Sequence, residues 1–156
     1  MTKTLQQELG KRDPFDSLEQ EATLAIWRTS DLLENRSARL LRDHGLTPSQ
    51  YNVLRILRGE GKPMACLEVA ERMIQVAPAI TRVVDQLIKL GLIIKNQSAE
   101  DRRVFMIELT PGARRKLKKL DRPILDLHQE LLGHVSKSDL KDLVRILAKA
   151  RSFASR

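Results

Sequence analysis

LIIKNQSAEDRRVFMIEL, residues 92–109, sets two apolar runs on either side of a polar tip ending in Glu100-Asp101-Arg102-Arg103. In the second run Phe105, Ile107 and Leu109 alternate with Val104, Met106 and Glu108, the period of a strand. Leu92 to Lys95 is short, β-branched and suited to be its partner. The two pair as a hairpin whose polar loop, about eight or nine residues, is longer than a minimal turn. Asp101 and Arg103 lie two positions apart, so both project from one side of the chain and the carboxylate can hold the guanidinium. On an ordinary surface such a pair is worth little. In the narrow minor groove of DNA, where negative potential is focused, an arginine held ready is far more useful.

The segments upstream give the hairpin a context. In LTPSQY, residues 46–51, Thr47 is an N-cap, Pro48 stands at N1 where its missing N–H is harmless, and Gln50 at N3 completes a capping box. Leu46 and Tyr51 are placed as a hydrophobic staple. That helix continues through Val53, Leu54, Ile56 and Leu57 and stops in Arg58-Gly59-Glu60-Gly61. After Lys62-Pro63 comes a short helix over 65–73 with Leu67, Val69, Ala70 and Met73 as its apolar positions. Pro78, at an N1 position, opens a helix over 78–90 that Gly91 ends.

The flanks are helical too. Residues 1–15 read as a flexible segment, with a turn at Asp13-Pro14. Asp16, answered by Glu19, caps a long helix over 17–44. One of its stripes is Leu18, Ala22, Ala25, Thr29 and Leu32; another is Ile26, Leu33 and Leu40. Two stripes imply two burial partners, one of them another subunit. Thr110-Pro111 caps a helix that runs to about Gly133 with a kink near Pro123. Ser136, with Asp139 at N3, starts the last helix, whose stripe is Leu140, Leu143, Val144 and Leu147.

Helix, short helix, helix, two-stranded hairpin is the order of a winged helix-turn-helix. The fold class is therefore mostly α with a small β-hairpin wing. A recognition helix over 78–90 would enter the major groove while the wing reaches the neighbouring minor groove. Ile80, Val83, Val84, Leu87 and Ile88 pack that helix onto the core. Ala77, Pro78, Ala79, Thr81, Arg82, Asp85, Gln86 and Lys89 are left for the outward face. Arg82 suits guanine edges or phosphate, Thr81 and Gln86 can bond bases, and Ala79 can pack on a thymine methyl. Asp85 would repel phosphate.

Composition agrees with a folded chain that meets a polyanion. The 156 residues are 42% hydrophobic and 31% charged, with formal charge +8. The excess is C-terminal: residues 1–46 carry 7 basic and 8 acidic groups, residues 47–110 carry 9 and 7, residues 111–156 carry 12 and 5. Arg114, Arg115, Lys116, Lys118 and Lys119 concentrate it, either as a solvated face or facing phosphate. Aromatic content of 3% argues against platforms that stack single-stranded bases. No apolar run long enough for a membrane span and no signal-like start are present, which reads as a cytoplasmic chain without a membrane partner. The single cysteine, Cys66, excludes an intrachain disulfide. It stands near a helix start, where a thiol pKa can fall, but a buried small residue is the simpler expectation. His44, His128 and His134 lack metal-ligand spacing, and no nucleophile elbow, phosphate loop or H-E-x-x-H occurs. Neither an enzyme nor a cofactor or metal is expected.

LTPSQYNVLRIL, LEVAERM, APAITRVVDQLIKLGLI and AEDRRVFMIELTPGARRKL, in this order, resemble the MarR family of bacterial winged-helix regulators over residues 17–153. The resemblance implies that Asp101 orients Arg103 for the minor groove, that Arg102 lies near the DNA backbone, and that the 78–90 helix reads the major groove. It implies a winged helix-turn-helix over 46–110, with wing 92–109, and dimerisation helices over 17–44 and 111–153. The expected partners are operator DNA, a second copy in a homodimer, and a small anionic or phenolic effector that releases a repressor. Trp27 and Arg28 fall near the family's ligand cleft. Ala77 and Asn96 depart from the pattern: the first lacks the hydroxyl of a good N-cap, and the second follows Lys95 where a further basic residue is common. A winged-helix dimer that only binds protein is the alternative from another class.

Overall fold

A computed structural model describes residues 2–75 and 79–154. The chain divides into two compact units, Met1–Arg114 and Arg115–Arg156. The first unit holds α1 (Leu5–Glu8), α2 (Leu18–Asp43), α3 (Pro48–Glu60), β1 (Met64–Ala65), α4 (Cys66–Glu71), α5 (Ile80–Lys89), β2 (Ile93–Gln97) and β3 (Phe105–Leu109). Helix α6 (Pro111–Leu132) begins there and continues into the second unit, which also contains α7 (Lys137–Ala154). Among the described residues, no helix is long and apolar enough to cross a membrane.

Local chemistry sets the helix ends. The Gln50 N–H donates to Thr47 Oγ1 at 3.2 Å and the Thr47 N–H to Gln50 Oε1 at 3.0 Å, closing the expected box at the start of α3. Gly61, at φ 74°, ends α3 in the left-handed region where a side chain would be strained. The long helix starts one residue later than expected. Ser17, not Asp16, is its N-cap, with Ser17 Oγ accepting from the Gln20 N–H at 3.1 Å. Asp16 reaches the same turn from outside, its Oδ2 accepting from Gln20 Nε2. Within residues 2–15 there is more structure than a frayed segment would have: Thr4 and Gln7 box α1, and Lys11 Nζ donates to the carbonyls of Asp13 and Pro14.

The first unit has a closed core. Val53, Leu54 and Leu57 of α3, Val69 of α4, Val84 and Leu87 of α5, and Ile93 and Ile107 of the sheet are all fully buried. Two residues expected inside are not. Leu67 and Ile88 are exposed, because α4 and α5 present narrower buried stripes than their apolar patterns suggest. The sheet order is β1-β3-β2, antiparallel throughout. The two-residue strand β1 was not anticipated; it pairs Met64 with Ile107 and Ala65 with Met106.

One residue ties three elements together. Thr110 donates its N–H to the Leu92 carbonyl at 3.1 Å and its Oγ1 hydroxyl to the Gly91 carbonyl at 2.8 Å. The same Oγ1 accepts from the Ala113 N–H, capping α6 as expected. Gly91 itself, at φ 69°, closes α5, with its N–H bonded to the Ile88 carbonyl.

In the second unit Ser136 Oγ accepts from the Asp139 N–H at 3.1 Å and starts α7. Pro123 lies inside α6 without ending it. Helix α7 buries no residue, and Leu143, Val144, Ile146 and Phe153 are exposed. Helix α2 buries only Leu41, leaving Leu18, Ile26, Trp27 and Leu32 exposed.

Candidate nucleic-acid interface

The ribbon is longer than its sequence suggests. Pairing runs from Ile93↔Leu109 out to Gln97↔Phe105, so the polar Asn96 and Gln97 belong to β2 and the loop shrinks to 98–104. Residues 93, 107 and 109 continue into the core, whereas Lys95 and Phe105 on the same face lie beyond it and are exposed. There the Lys95 ammonium sits 4.6 Å from the Phe105 ring centroid and shields it in a cation–π contact.

At the tip, Ser98 Oγ accepts from the N–H groups of Glu100 and Asp101, and the Val104 N–H returns to the Asp101 carbonyl. This turn aims Asp101 at Arg103. Asp101 Oδ1 accepts from the Arg103 backbone N–H at 3.0 Å and from Nε at 3.2 Å, while Oδ2 accepts from Nη2 at 3.3 Å. The backbone and guanidinium hydrogen bonds from Arg103 hold the Asp101 carboxyl below its ordinary pKa. The Arg103 side chain nevertheless remains 91% exposed. It is oriented without being covered, the state in which it can still be handed to another surface. Arg102 is exposed beside it, and its backbone carbonyl accepts from Gln97 Nε2.

Helix α5 starts at Ile80, two residues after the expected start. Ala79 is its N-cap and supplies no side-chain oxygen. Ala77 and Pro78, the expected cap and first helical residue, lie outside the described residues. Thr81 and Arg82 are exposed, as are Asp85 and Lys89. Gln86 departs from the outward placement read from sequence. It is half-buried, and its Oε1 accepts from Nε2 of Gln50 on α3 at 3.0 Å. That bond joins residues far apart in the chain, so helical spacing on α5 alone could not reveal it. Gln50, expected only as a cap residue, is 7% exposed and does both jobs.

Further bonds brace the helix-turn-helix. Asn52 Oδ1 accepts from the Ile74 N–H at 2.8 Å, and Glu60 Oε2 accepts from Arg72 Nη1 at 2.6 Å. The Arg72 hydrogen bond and charge lower the Glu60 pKa. Gln75 Nε2 donates to Glu34 Oε1, linking the segment before α5 to α2.

The remaining sequence candidates separate from this cluster. Trp27, 65% exposed, and Arg28, also exposed, are adjacent on α2. Cys66 is half-buried, and burial pushes its thiol pKa up despite the opposing charge of Lys95. A thiol that stays protonated at neutral pH is a poor nucleophile, so the helix-start lowering does not prevail. Among the described residues, no group of acidic, histidine and cysteine side chains could hold a metal ion.

Comparison with known proteins places this arrangement. The model of the MarR family matches residues 46–105, the segment from the α3 cap to β3. A curated transcriptional regulatory protein for the hcr operon of Thauera aromatica is 27% identical over 106 residues. That match covers 67% of this chain, and the chain spans 63% of the length of that relative. The MarR protein of E. coli, solved as a mutant complexed with operator DNA, shares the fold at TM-score 0.76 and 21% identity, covering 86% of this chain and 99% of that one. The crystal structure of a MarR transcription factor from Planctomyces limnophilus is 38% identical with TM-score 0.67, over 86% of this chain and 98% of that one. With that identity over most of both chains, and the family model matching the segment that holds α3, α5 and the ribbon, the chain belongs to the MarR family of transcriptional regulators.

Proposed function

We propose that the protein is a homodimeric repressor that binds double-stranded operator DNA sequence-specifically and is released by a small anionic or phenolic ligand. The observation that carries the reading is the Asp101–Arg103 pair: an exposed guanidinium held by two hydrogen bonds to a carboxylate that the Arg103 backbone N–H also fixes, at the end of an exposed ribbon. Fixing it beforehand reduces the rotamer entropy lost on insertion into a minor groove. Thr81 and Arg82 supply the adjoining reading surface on α5, and the uncapped N–H groups at its start suit a phosphate. Arg102, exposed beside Arg103, offers a cation to a backbone phosphate.

Dimerisation is supported by the exposed apolar residues of α7 and α2, since contiguous apolar faces on a folded chain mark partner sites. A two-fold axis would set two α5 helices about one turn of DNA apart on a pseudo-palindromic site. Trp27 and Arg28 offer an aromatic face and a cation to an anionic, ring-bearing effector. Such a ligand acts only by binding the DNA-competent and released conformations unequally.

The test is a gel shift with the DNA upstream of the protein's own gene, competed by random duplex. Retention against excess random DNA, with a steep fall in affinity as salt rises, is expected. Equal competition by both would favour the protein-interaction reading instead.

A further inference from the structure

A line of hydrogen bonds runs from the start of α3 to the reading face of α5. The Thr47 backbone N–H donates to Gln50 Oε1 at 3.0 Å, and Gln50 Nε2 donates to Gln86 Oε1 at 3.0 Å. The oxygen and nitrogen ends of a side-chain amide have nearly the same shape, so their neighbours decide which end points where. Here the decision starts at a group that cannot flip, because a backbone N–H only donates. It holds the Gln50 oxygen, which turns the Gln50 nitrogen toward Gln86, which in turn requires Gln86 to offer its oxygen. Gln50 is buried, so water is a poor substitute for either partner. The end of Gln86 that remains is Nε2, two N–H donors and no acceptor. On α5 this residue shares a face with exposed Arg82 four positions before it and Lys89 three after.

We propose that Gln86 is a specificity-determining residue that reads hydrogen-bond acceptors alone, guanine first and thymine second. Guanine shows N7 and O6 in the major groove, both acceptors, and thymine shows O4. The usual glutamine–adenine pair needs an amide oxygen for N6–H and an amide nitrogen for N7. With its oxygen turned inward onto buried Gln50, Gln86 does not present oxygen and nitrogen side by side as that pair needs. Cytosine presents only a donor in that groove and is refused. The inference rests on the proposed reading of α5 as the major-groove helix.

The experiment is selection of bound duplexes from a pool randomised across the site, using the full-length protein. One position, in each half-site, should favour guanine or thymine over cytosine by about tenfold. Gln86→Ala should flatten that position and leave the others. Gln50→Glu keeps the Thr47 box, since a carboxylate accepts the same N–H, but its second oxygen also accepts. Gln86 must then turn Nε2 inward and its oxygen out, and the same position should shift to cytosine or adenine. Gln86→Glu reaches the same polarity without altering α3, accepting from Gln50 with one oxygen and presenting the other. Preference at the position is the readout, so a general loss of affinity from the added charge does not obscure it. The proposal is overturned if Gln86→Ala leaves every preference intact, if the Gln86-dependent position favours adenine in the unaltered protein, or if both glutamate variants keep the original preference. A pool from which the unaltered protein enriches no sequence would instead remove the reading of α5 itself, and this inference with it.

Discussion

Helices α5 and α7 make opposite use of similar patterns. Helix α5 is short, begins without a side-chain cap, and still has Val84 and Leu87 sealed into the first unit. Helix α7 is longer and well capped by Ser136, yet it buries nothing within the chain and leaves Leu143, Val144, Ile146 and Phe153 exposed. The lesson concerns what an apolar stripe means. A stripe says that a face seeks cover, and the chain's own remainder decides whether the cover is internal or must come from elsewhere. On the proposed function, α5 is held rigid because it must read, while α7 is kept open because it must join.

The largest expected effect lies on the covered side. Leu87→Ala removes a fully buried side chain from α5 and should lower unfolding free energy by about 2–5 kcal/mol, measured by denaturant titration. A loss close to that of an exposed position would mean that α5 is not seated as described. On the open side, Val144→Asp alters a residue that is 67% exposed, and should change the melting of a dissociated chain by only about 0.5 kcal/mol. It should weaken self-association by about 2 kcal/mol or more, read by sedimentation, because an unpaired carboxylate would be trapped in the joint. Unaltered association would remove α7 from the interface.

The ribbon tip gives two smaller effects that belong together. Arg103→Ala should reduce operator affinity about tenfold to a hundredfold with folding unchanged. An unaltered footprint would end the wing assignment. Asp101→Asn keeps an oxygen for the backbone N–H but gives up the charge, and should reduce affinity by only about two- to fivefold. The pH dependence follows the lowered Asp101 pKa. Above its ordinary value the carboxylate is ionised whether or not it is paired, so the pin is complete. As pH falls through the lowered folded value, protonation removes it. Between pH 5 and 8, binding measured by anisotropy should therefore show no loss attributable to this pair.

The sequence was most informative where one residue type has one use. Thr47-Pro48 and Thr110-Pro111 mark helix starts because hydroxyl and imino acid each suit one position there, and Asp101 with Arg103 marks a pin because a carboxylate and a guanidinium two positions apart can reach each other across the tip of a loop. It was less informative where neighbours compete or distance intervenes. Asp16 and Ser17 are both good caps, and only the chain path selects Ser17. Strand β1 is too short to show a period. Asn96 and Gln97 resemble loop residues, although the ladder continues through them. The Gln50–Gln86 bond depends on tertiary packing of two helices, which no local pattern encodes.

Thr110 has a consequence for how the molecule can respond to its target. By fastening the Gly91 and Leu92 carbonyls while starting α6, it rivets the foot of the ribbon to the tail of α5. The stagger between helix and ribbon is thereby set before any duplex arrives, like the gap of a caliper. For a protein that reads DNA in the proposed way, adjacent grooves must come at the spacing of that gap. A-form duplexes, with a deep and narrow major groove, would be turned away by shape before a single base is consulted.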